Sequence, residues 1–240
     1  MNREKFVSFV KKYHLDGLVN SAILTFKDSK LSTRFTNGDK SILGMIELDN
    51  WDFEPGDFGV YDAGVFVKLI EVLDNDIEMK INRAGDKAIS IQVSDSNSKI
   101  QYMLSDTSVI NQPPVPEKLP SDFDLKINVN KQFIDKFKAG TNALPETETY
   151  SVLTNNGETQ VVIGYSTVGT NRVTLPVTTT EYADLDLISF NAKHFKSVLN
   201  ANSKCESALL EISPSGLSKI TFKFDDFKSE YYLVAVQDVD

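Results

Sequence analysis

The 240-residue chain has one cysteine, Cys205, two histidines, His14 and His194, and one tryptophan, Trp51. A single thiol can make neither an intrachain disulfide nor a cysteine cage for zinc. Two histidines far apart in sequence do not supply a His-based zinc site. There is no Asn-x-Ser/Thr acceptor, and no apolar run approaches the roughly 20 residues needed to span a bilayer. The N-terminus, Met1-Asn2-Arg3-Glu4-Lys5, runs into an amphipathic pattern, not an apolar signal core. These absences point to a reducing cytoplasm and away from membranes. Chemistry is missing too: there is no Gly-rich phosphate loop and no nucleophile elbow. Cys205 has no nearby histidine and reads as a buried structural thiol, while His194 reads as a boundary residue. Asp225-Asp226 and Asp238/Asp240 lack a third fixed metal ligand and read as solvated loop and tail charges. The sequence therefore predicts a non-enzyme with no metal and no cofactor.

What is present is ordinary in amount and unusual in distribution. Hydrophobic residues make up 41% and charged residues 25%, as in folded globular proteins. The stretch from Asn111 to Pro120 holds four prolines in ten residues. Proline lacks a backbone donor and fixes φ, so this stretch is expected to be an extended connector. It divides the chain into residues 1–110 and 121–240. Each half alternates apolar and polar residues with period two, as in Ile89–Val93, Lys99–Leu104, Gln160–Tyr165 and Lys219–Phe224. Turn residues separate these runs, among them Asn37-Gly38-Asp39, Asn155-Asn156-Gly157 and Ser213-Pro214-Ser215-Gly216, so antiparallel sheets are expected.

Four segments carry apolar stripes at helical spacing: Phe6, Phe9, Val10 and Tyr13; Phe66, Leu69, Ile70 and Leu73; Phe133 and Phe137; Phe195, Val198 and Leu199. Three begin alike, with a short apolar strand running into Asp62, Asn130 or Asn191 and a phenylalanine three or four residues on. These residues are good helix caps because their side chains accept from the first unpaired helix amides. The unit of strand, helix and following strands recurs about four times, two per half, which argues for pseudo-symmetry.

The formal net charge is −9, which taken alone disfavours a nucleic-acid partner. The four helical segments nevertheless carry a net +8, leaving −17 on the rest of the chain. Lys5, Lys11, Lys12, Lys68, Lys131, Lys138, Lys193 and Lys196 are the candidates for a basic surface set away from the apolar stripes. Apart from Arg3, every cation on these helices is lysine, a hydrated point charge that attracts phosphate without the bidentate grip of arginine. No cluster of Asn, Gln or Arg lies on one helix face to read base edges.

The run Asp57-Phe58-Gly59-Val60-Tyr61-Asp62-Ala63-Gly64-Val65-Phe66-Val67-Lys68-Leu69-Ile70, followed by Asp74-Asn75-Asp76-Ile77-Glu78, resembles the sliding clamp of T4-type bacteriophages, a relative of PCNA. The Pro-rich connector, the helix from Asn191 with Phe195, and the final strand Tyr231–Val236 extend the resemblance in order along the chain. The resemblance implies an α+β DNA-clamp fold: two similar domains, each with antiparallel sheets outside and two helices inside, closing as a head-to-tail homotrimeric ring. It implies a DNA polymerase processivity factor that encircles duplex DNA at replication forks in the infected host cell, loaded by a separate ATP-dependent clamp loader. The subunit contact is then expected between Lys99–Leu104 and Arg172–Val177, with Ile100, Tyr102, Leu104, Val173 and Leu175 as its residues. A pocket for partner peptides is expected at Val109, Ile110, Val115, Leu119, Tyr232, Val234 and Val236. The alternative is a β-rich phage tail or baseplate module, in which Trp51 and surface tyrosines form a carbohydrate platform.

Overall fold

The computed structural model describes residues 1–114 and 122–236. Val115, Leu119, the second half of the Pro-rich connector, Asp238 and Asp240 lie outside the described residues. The chain forms two compact units. Unit 1 comprises Met1–Gly38, Gly44–Pro114 and Asp225–Ser229; unit 2 comprises Asp39–Leu43, Val115–Phe224 and Glu230–Asp240.

In unit 1, helix α1 (Arg3–His14) leads into strands β1 (Ala22–Lys27), β2 (Lys30–Thr36) and β3 (Ile42–Leu48). Strand β4 (Gly56–Val60) then feeds α2 (Ala63–Ile70), and β5 (Glu78–Ala84), β6 (Lys87–Ser94) and β7 (Lys99–Met103) complete the unit. The strands run in the order β3–β2–β1–β4, with a separate three-stranded sheet β5–β6–β7. Unit 2 repeats the plan. Strand β8 (Leu125–Asn130) feeds α3 (Lys131–Ala143), followed by β9 (Thr149–Asn155), β10 (Glu158–Ile163), β11 (Val173–Val177) and the short β12 (Thr179–Glu181). Strand β13 (Ile188–Asn191) feeds α4 (Ala192–Ala201), followed by β14 (Ser207–Ser213), β15 (Leu217–Phe224) and β16 (Phe227–Val234). Its strands run β12–β8–β14–β15–β16, with a four-stranded sheet β11–β10–β9–β13. The architecture is α+β with antiparallel pairing throughout the described strand pairs.

The helix starts follow the local chemistry. The side chains of Asp62, Asn130 and Asn191 accept from the amides of Val65, Phe133 and His194 at 2.8, 2.8 and 2.9 Å. Each satisfies a donor that has no partner within the helix. The first helix completes the set: Asn2 accepts from Lys5 N at 2.9 Å. No strand precedes α1, but an antiparallel bridge between Asn2 and Asp76 stands in that place. The signal was in the sequence, since Asn2 sits three residues before Lys5, as the other caps do before their bonded amides.

The cores of the two units are built alike. In unit 1, Phe6 meets Phe66 edge-on at 5.7 Å, Tyr13 packs on Phe35 of β2, and Phe66 lies 4.5 Å from Tyr102 of β7. In unit 2, Phe137 meets Phe195 edge-on at 5.0 Å, and both contact Tyr150 of β9. Phe6, Phe66, Phe137 and Phe195 are all fully buried, and truncating any of them to Ala should cost about 3–5 kcal/mol. Leu73 is buried just beyond the end of α2, and Val67 takes the place in the buried stripe predicted for the half-buried Leu69.

Turns follow the predicted residues. The β9–β10 hairpin closes on Asn156 and Gly157, both at positive φ, as a two-residue turn matched to strand twist requires. The β1–β2 hairpin achieves the same with Asp28 and Ser29 and no glycine. Two expectations need correction. Trp51 is buried at 4% exposure and stacks on Phe6 at 5.5 Å, so it is core and no carbohydrate platform. Asp225 and Asp226 do lie in the turn between β15 and β16, with Asp225 exposed, but they are not unpartnered charges: both carboxylates bind the Lys5 ammonium.

Candidate nucleic-acid interface

The predicted basic residues divide by environment. In unit 1, α1 and α2 pack side by side, and α1 carries Lys5, Lys11 and Lys12. Lys12 is buried at 4% exposure, its ammonium 5.2 Å from the centre of the Phe227 ring. It faces the core and not solvent, which corrects its placement on a basic surface. Its position 180° round the helix from Arg3 sits next to the apolar stripe, and the aliphatic stem follows that stripe inward. Lys5 is held 2.8 Å from Asp225 and also by Asp226, and Asn50 donates to Asp226 at 2.8 Å. These carboxylates raise the Lys5 pKa, Asp225 most, and Lys5 in turn holds the Asp226 carboxyl below its ordinary range. Lys11 pairs with Glu71 at 2.6 Å just past the end of α2. Lys68 is exposed, opposite the buried face of α2, and is flanked there by exposed Val65 and Val72.

In unit 2, Lys131 pairs with Asp135 one turn along α3 at 2.9 Å. Lys136 and Lys193 are exposed, Lys138 and Lys196 half-buried. Lys196 donates to the Asn142 side chain at 2.6 Å, a neutral partner that links α4 to α3. Lys136, absent from the predicted set, belongs with these by exposure; its position on α3 lies between the buried face and the face carrying Lys131. The helices themselves carry the +8 charge, since Glu71 and Lys204 both fall just outside the helical bounds and cancel.

The predicted contact strands occupy sheet margins: β7 is the edge of its three-stranded sheet and β11 the edge of its four-stranded sheet. Their side chains are less available than expected. Tyr102 is 7% exposed, its ring packed at a tilt against Phe66, with its hydroxyl accepting from Asp62 N at 2.8 Å. Leu175 is 6% exposed inside unit 2. Both belong to the cores of their own units, because alternate residues of an edge strand must face the sheet interior. Ile100, Leu104 and Val173 are half-buried. What these strands offer outward is the unpaired backbone of an edge together with exposed side chains such as Gln101, Met103 and Thr174.

The predicted peptide-binding residues also divide. In unit 1, Ile110 is buried over Gly59 and Val109 is 67% exposed. In unit 2, Tyr232 is buried, and its hydroxyl pKa is pushed up to about 12 by burial and by Glu230 and Glu211. Val234 and Val236 are about half exposed. Val236 N donates to Ser189 O at 2.8 Å, which lays the C-terminal segment beside β13 and near exposed Leu187, a neighbour the sequence reading missed. A cavity of about 180 Å³ lies elsewhere, in unit 1, lined by Asp57, Gly59, Leu104 and Ser105 and by the Lys87–Asp106 ion pair. No metal-binding cluster of His, Cys, Asp or Glu occurs among the described residues. No helix among them is long and apolar enough to cross a membrane.

A scan against protein-family models and a search of curated proteins find no match to this chain. Solved structures do match it. A PCNA (proliferating cellular nuclear antigen) from Entamoeba histolytica is similar with a TM-score of 0.76 at 15% identity, over 98% of this chain and 96% of that one. A PCNA from A. fulgidus, solved with the C-terminal region of FEN-1 bound, is similar with a TM-score of 0.77 at 13% identity, over 100% of this chain and 98% of that one. At such identities the likeness is one of fold, and the chain has the two-domain clamp fold of PCNA.

Proposed function

We propose that this chain is one subunit of a DNA sliding clamp of the kind found in T4-type bacteriophages. Three copies close head to tail around duplex DNA and tether a replicative DNA polymerase for processive synthesis. One observation carries the reading: a clamp fold spanning the whole chain, in which a strongly acidic protein places net positive charge on its four helices. A ring needs no tight grip, because topology supplies persistence while weak, sequence-independent attraction to phosphate permits sliding. The −17 borne outside the helices repels stray DNA from the rest of the surface.

Ring closure is supported by β7 and β11, two sheet edges whose pairing across subunits would form a heterologous contact and cover both. Partner binding is supported by the FEN-1 segment on the A. fulgidus protein and by the exposed Val234, Val236 and Leu187 here. Opening and closing the ring on DNA calls for an ATP-dependent loader. The place of action is the replication fork in the cytoplasm of the infected cell.

The decisive test has two arms. With its cognate polymerase and loader, the protein should lengthen products on a primed circular template. Loaded on a nicked circle, it should stay with the DNA through gel filtration in high salt and be lost when the circle is cut. Failure to lengthen products, together with retention that ignores linearisation, refutes the reading.

A further inference from the structure

We infer that phosphate contact is concentrated on the α3/α4 face of unit 2, through Lys138, Lys193 and Lys196, and that α1 and α2 contribute little beyond Lys68. The inference rests on the clamp reading and assigns its DNA contact unequally between the two halves of the chain.

Local charge balance drives it. On α1, Lys5 faces two carboxylates, Lys11 faces Glu71, and Lys12 is buried. Glu4, exposed on the same helix, offsets Arg3, which is spent donating to the Leu73 and Glu71 carbonyls. A lysine beside a carboxylate presents a dipole, and a phosphate approaching it meets repulsion as well as attraction. On and beside α2 the exposed residues are apolar or acidic, with Tyr61 65%, Val65 46% and Val72 68% exposed and Asp62 and Glu71 at the helix ends, and Lys68 is the cation of the helix.

Unit 2 differs. The Lys131–Asp135 pair is neutral, but Lys136, Lys138 and Lys193 have no ion pair among the described residues. The Lys196 ammonium donates to a neutral amide oxygen and not to a carboxylate. Glu146 and Glu148, in the loop after α3, form no ion pair with these lysines among the described residues. Lys136, two residues before Lys138, projects from the opposite flank of α3, away from Asn142 and α4. Lys138, Lys193 and Lys196, three cations without a carboxylate partner on two packed helices, match the phosphate spine of a duplex in sign and in lack of directional demand.

The test measures affinity for a short fluorescent linear duplex by anisotropy between 50 and 200 mM salt. Each phosphate neutralised on B-DNA adds about 0.9 to the slope of log affinity against log salt. The triple variant Lys138→Gln/Lys193→Gln/Lys196→Gln should flatten the slope by about 2.7 for each subunit engaged, so the salt-induced loss over this range shrinks about 40-fold. The double variant Lys11→Gln/Lys131→Gln should leave the slope near that of the parent, and Asp135→Asn, which frees Lys131, should steepen it. All substituted positions are on helix surfaces, and unchanged melting of each variant verifies the fold. Equal flattening by the triple and double variants, or a parent with no salt-dependent duplex binding, overturns the inference. The clamp reading is judged separately: a parent that still lengthens polymerase products while the variants flatten equally keeps that reading and loses this one.

Discussion

Replacing Gly59 with alanine tests why the stretch Asp57–Asp62 reads as it does. Gly59 lies in β4, and its carbonyl accepts from Ser105 N at 2.9 Å, joining β4 to the end of β7. A Cβ there would sit 2.5 Å from the Ser105 carbonyl oxygen and 2.9 Å from Ile110 Cδ1. The Ile110 side chain can rotate away, but the Ser105 carbonyl belongs to backbone and must recede by at least 0.5 Å to reach even the 3.0 Å floor of real contacts. Overpacking of this kind costs about 1–3 kcal/mol. The same movement strains the Ser105–Gly59 hydrogen bond, worth a further 0.5–1.5 kcal/mol or so. Gly59→Ala should therefore lose about 2–4 kcal/mol. Trp51, the one tryptophan, is buried in unit 1, so its fluorescence in urea reports loss of packing in that unit. Gly38→Ala is the control: nothing lies within 4 Å of its Cβ and its φ is not in the left-handed region. That change should be neutral or stabilising by up to about 1 kcal/mol, through the unfolded chain. Equal urea midpoints for the two variants would refute the close-approach argument.

Other expectations follow from single contacts. Asn191→Ala removes the acceptor for His194 N and should cost about 1 kcal/mol, read from the thermal melt, with Asn191→Asp restoring most of it. Lys5 depresses the Asp226 pKa, so this pair contributes stability that is present above the unfolded carboxylate value near 3.9 and lost as pH falls through the lower folded value. Lys5→Gln should flatten the acid side of the stability profile measured through Trp51, and a profile as steep as the parent's would remove the pair from the account. Leu104 N donates to Ile89 O, so by the alternation of an antiparallel ladder the amides of Gln101 and Met103 point to the open side of β7. Gln101→Pro deletes one such donor where an edge strand tolerates proline, and should shift a trimer toward monomer in sedimentation without lowering the Trp51 midpoint. A trimer unchanged by this substitution would move the subunit contact elsewhere. A charge at Tyr102 or Leu175 could not serve, because both are core residues and the unit itself would unfold.

The fold was legible because its signals are local and repeated. A strand running into Asp62, Asn130 or Asn191 with a phenylalanine one turn later names both the helix start and the buried face, and each cap forms its predicted kind of bond. Asn2 carried the same information, but it lacks a preceding strand, and the bridge to Asp76 that replaces it closes over 74 residues that a local reading does not cross. Strand β12 was invisible for a different reason: three residues with no buried member leave no alternation to detect. Edge position was legible only through the resemblance, since nothing in the run Lys99–Met103 says which neighbours are missing.

The site was legible in sign and not in strength. A count of charge along a helix sees the lysine but not its partner, and here the partners come from far along the chain: Glu71 for Lys11, Asp225 and Asp226 for Lys5. Lys131 is the instructive exception, because its partner Asp135 lies one turn away and could have been discounted from sequence spacing alone. Lys12 fails by a wheel position: it borders the apolar stripe, and the Phe227 ring brought to it from the other end of the chain turns a flank into a buried contact. The +8 on the helices is therefore an upper bound on what a duplex would feel. The pairing lowers it most on α1, where Lys5 and Lys11 face carboxylates and Lys12 is buried, and least on α4, where neither lysine has an ion pair among the described residues. If the proposed ring closes on DNA, that loss of attraction costs no retention and reduces the friction of sliding, so under that proposal masked and unmasked lysines serve one function.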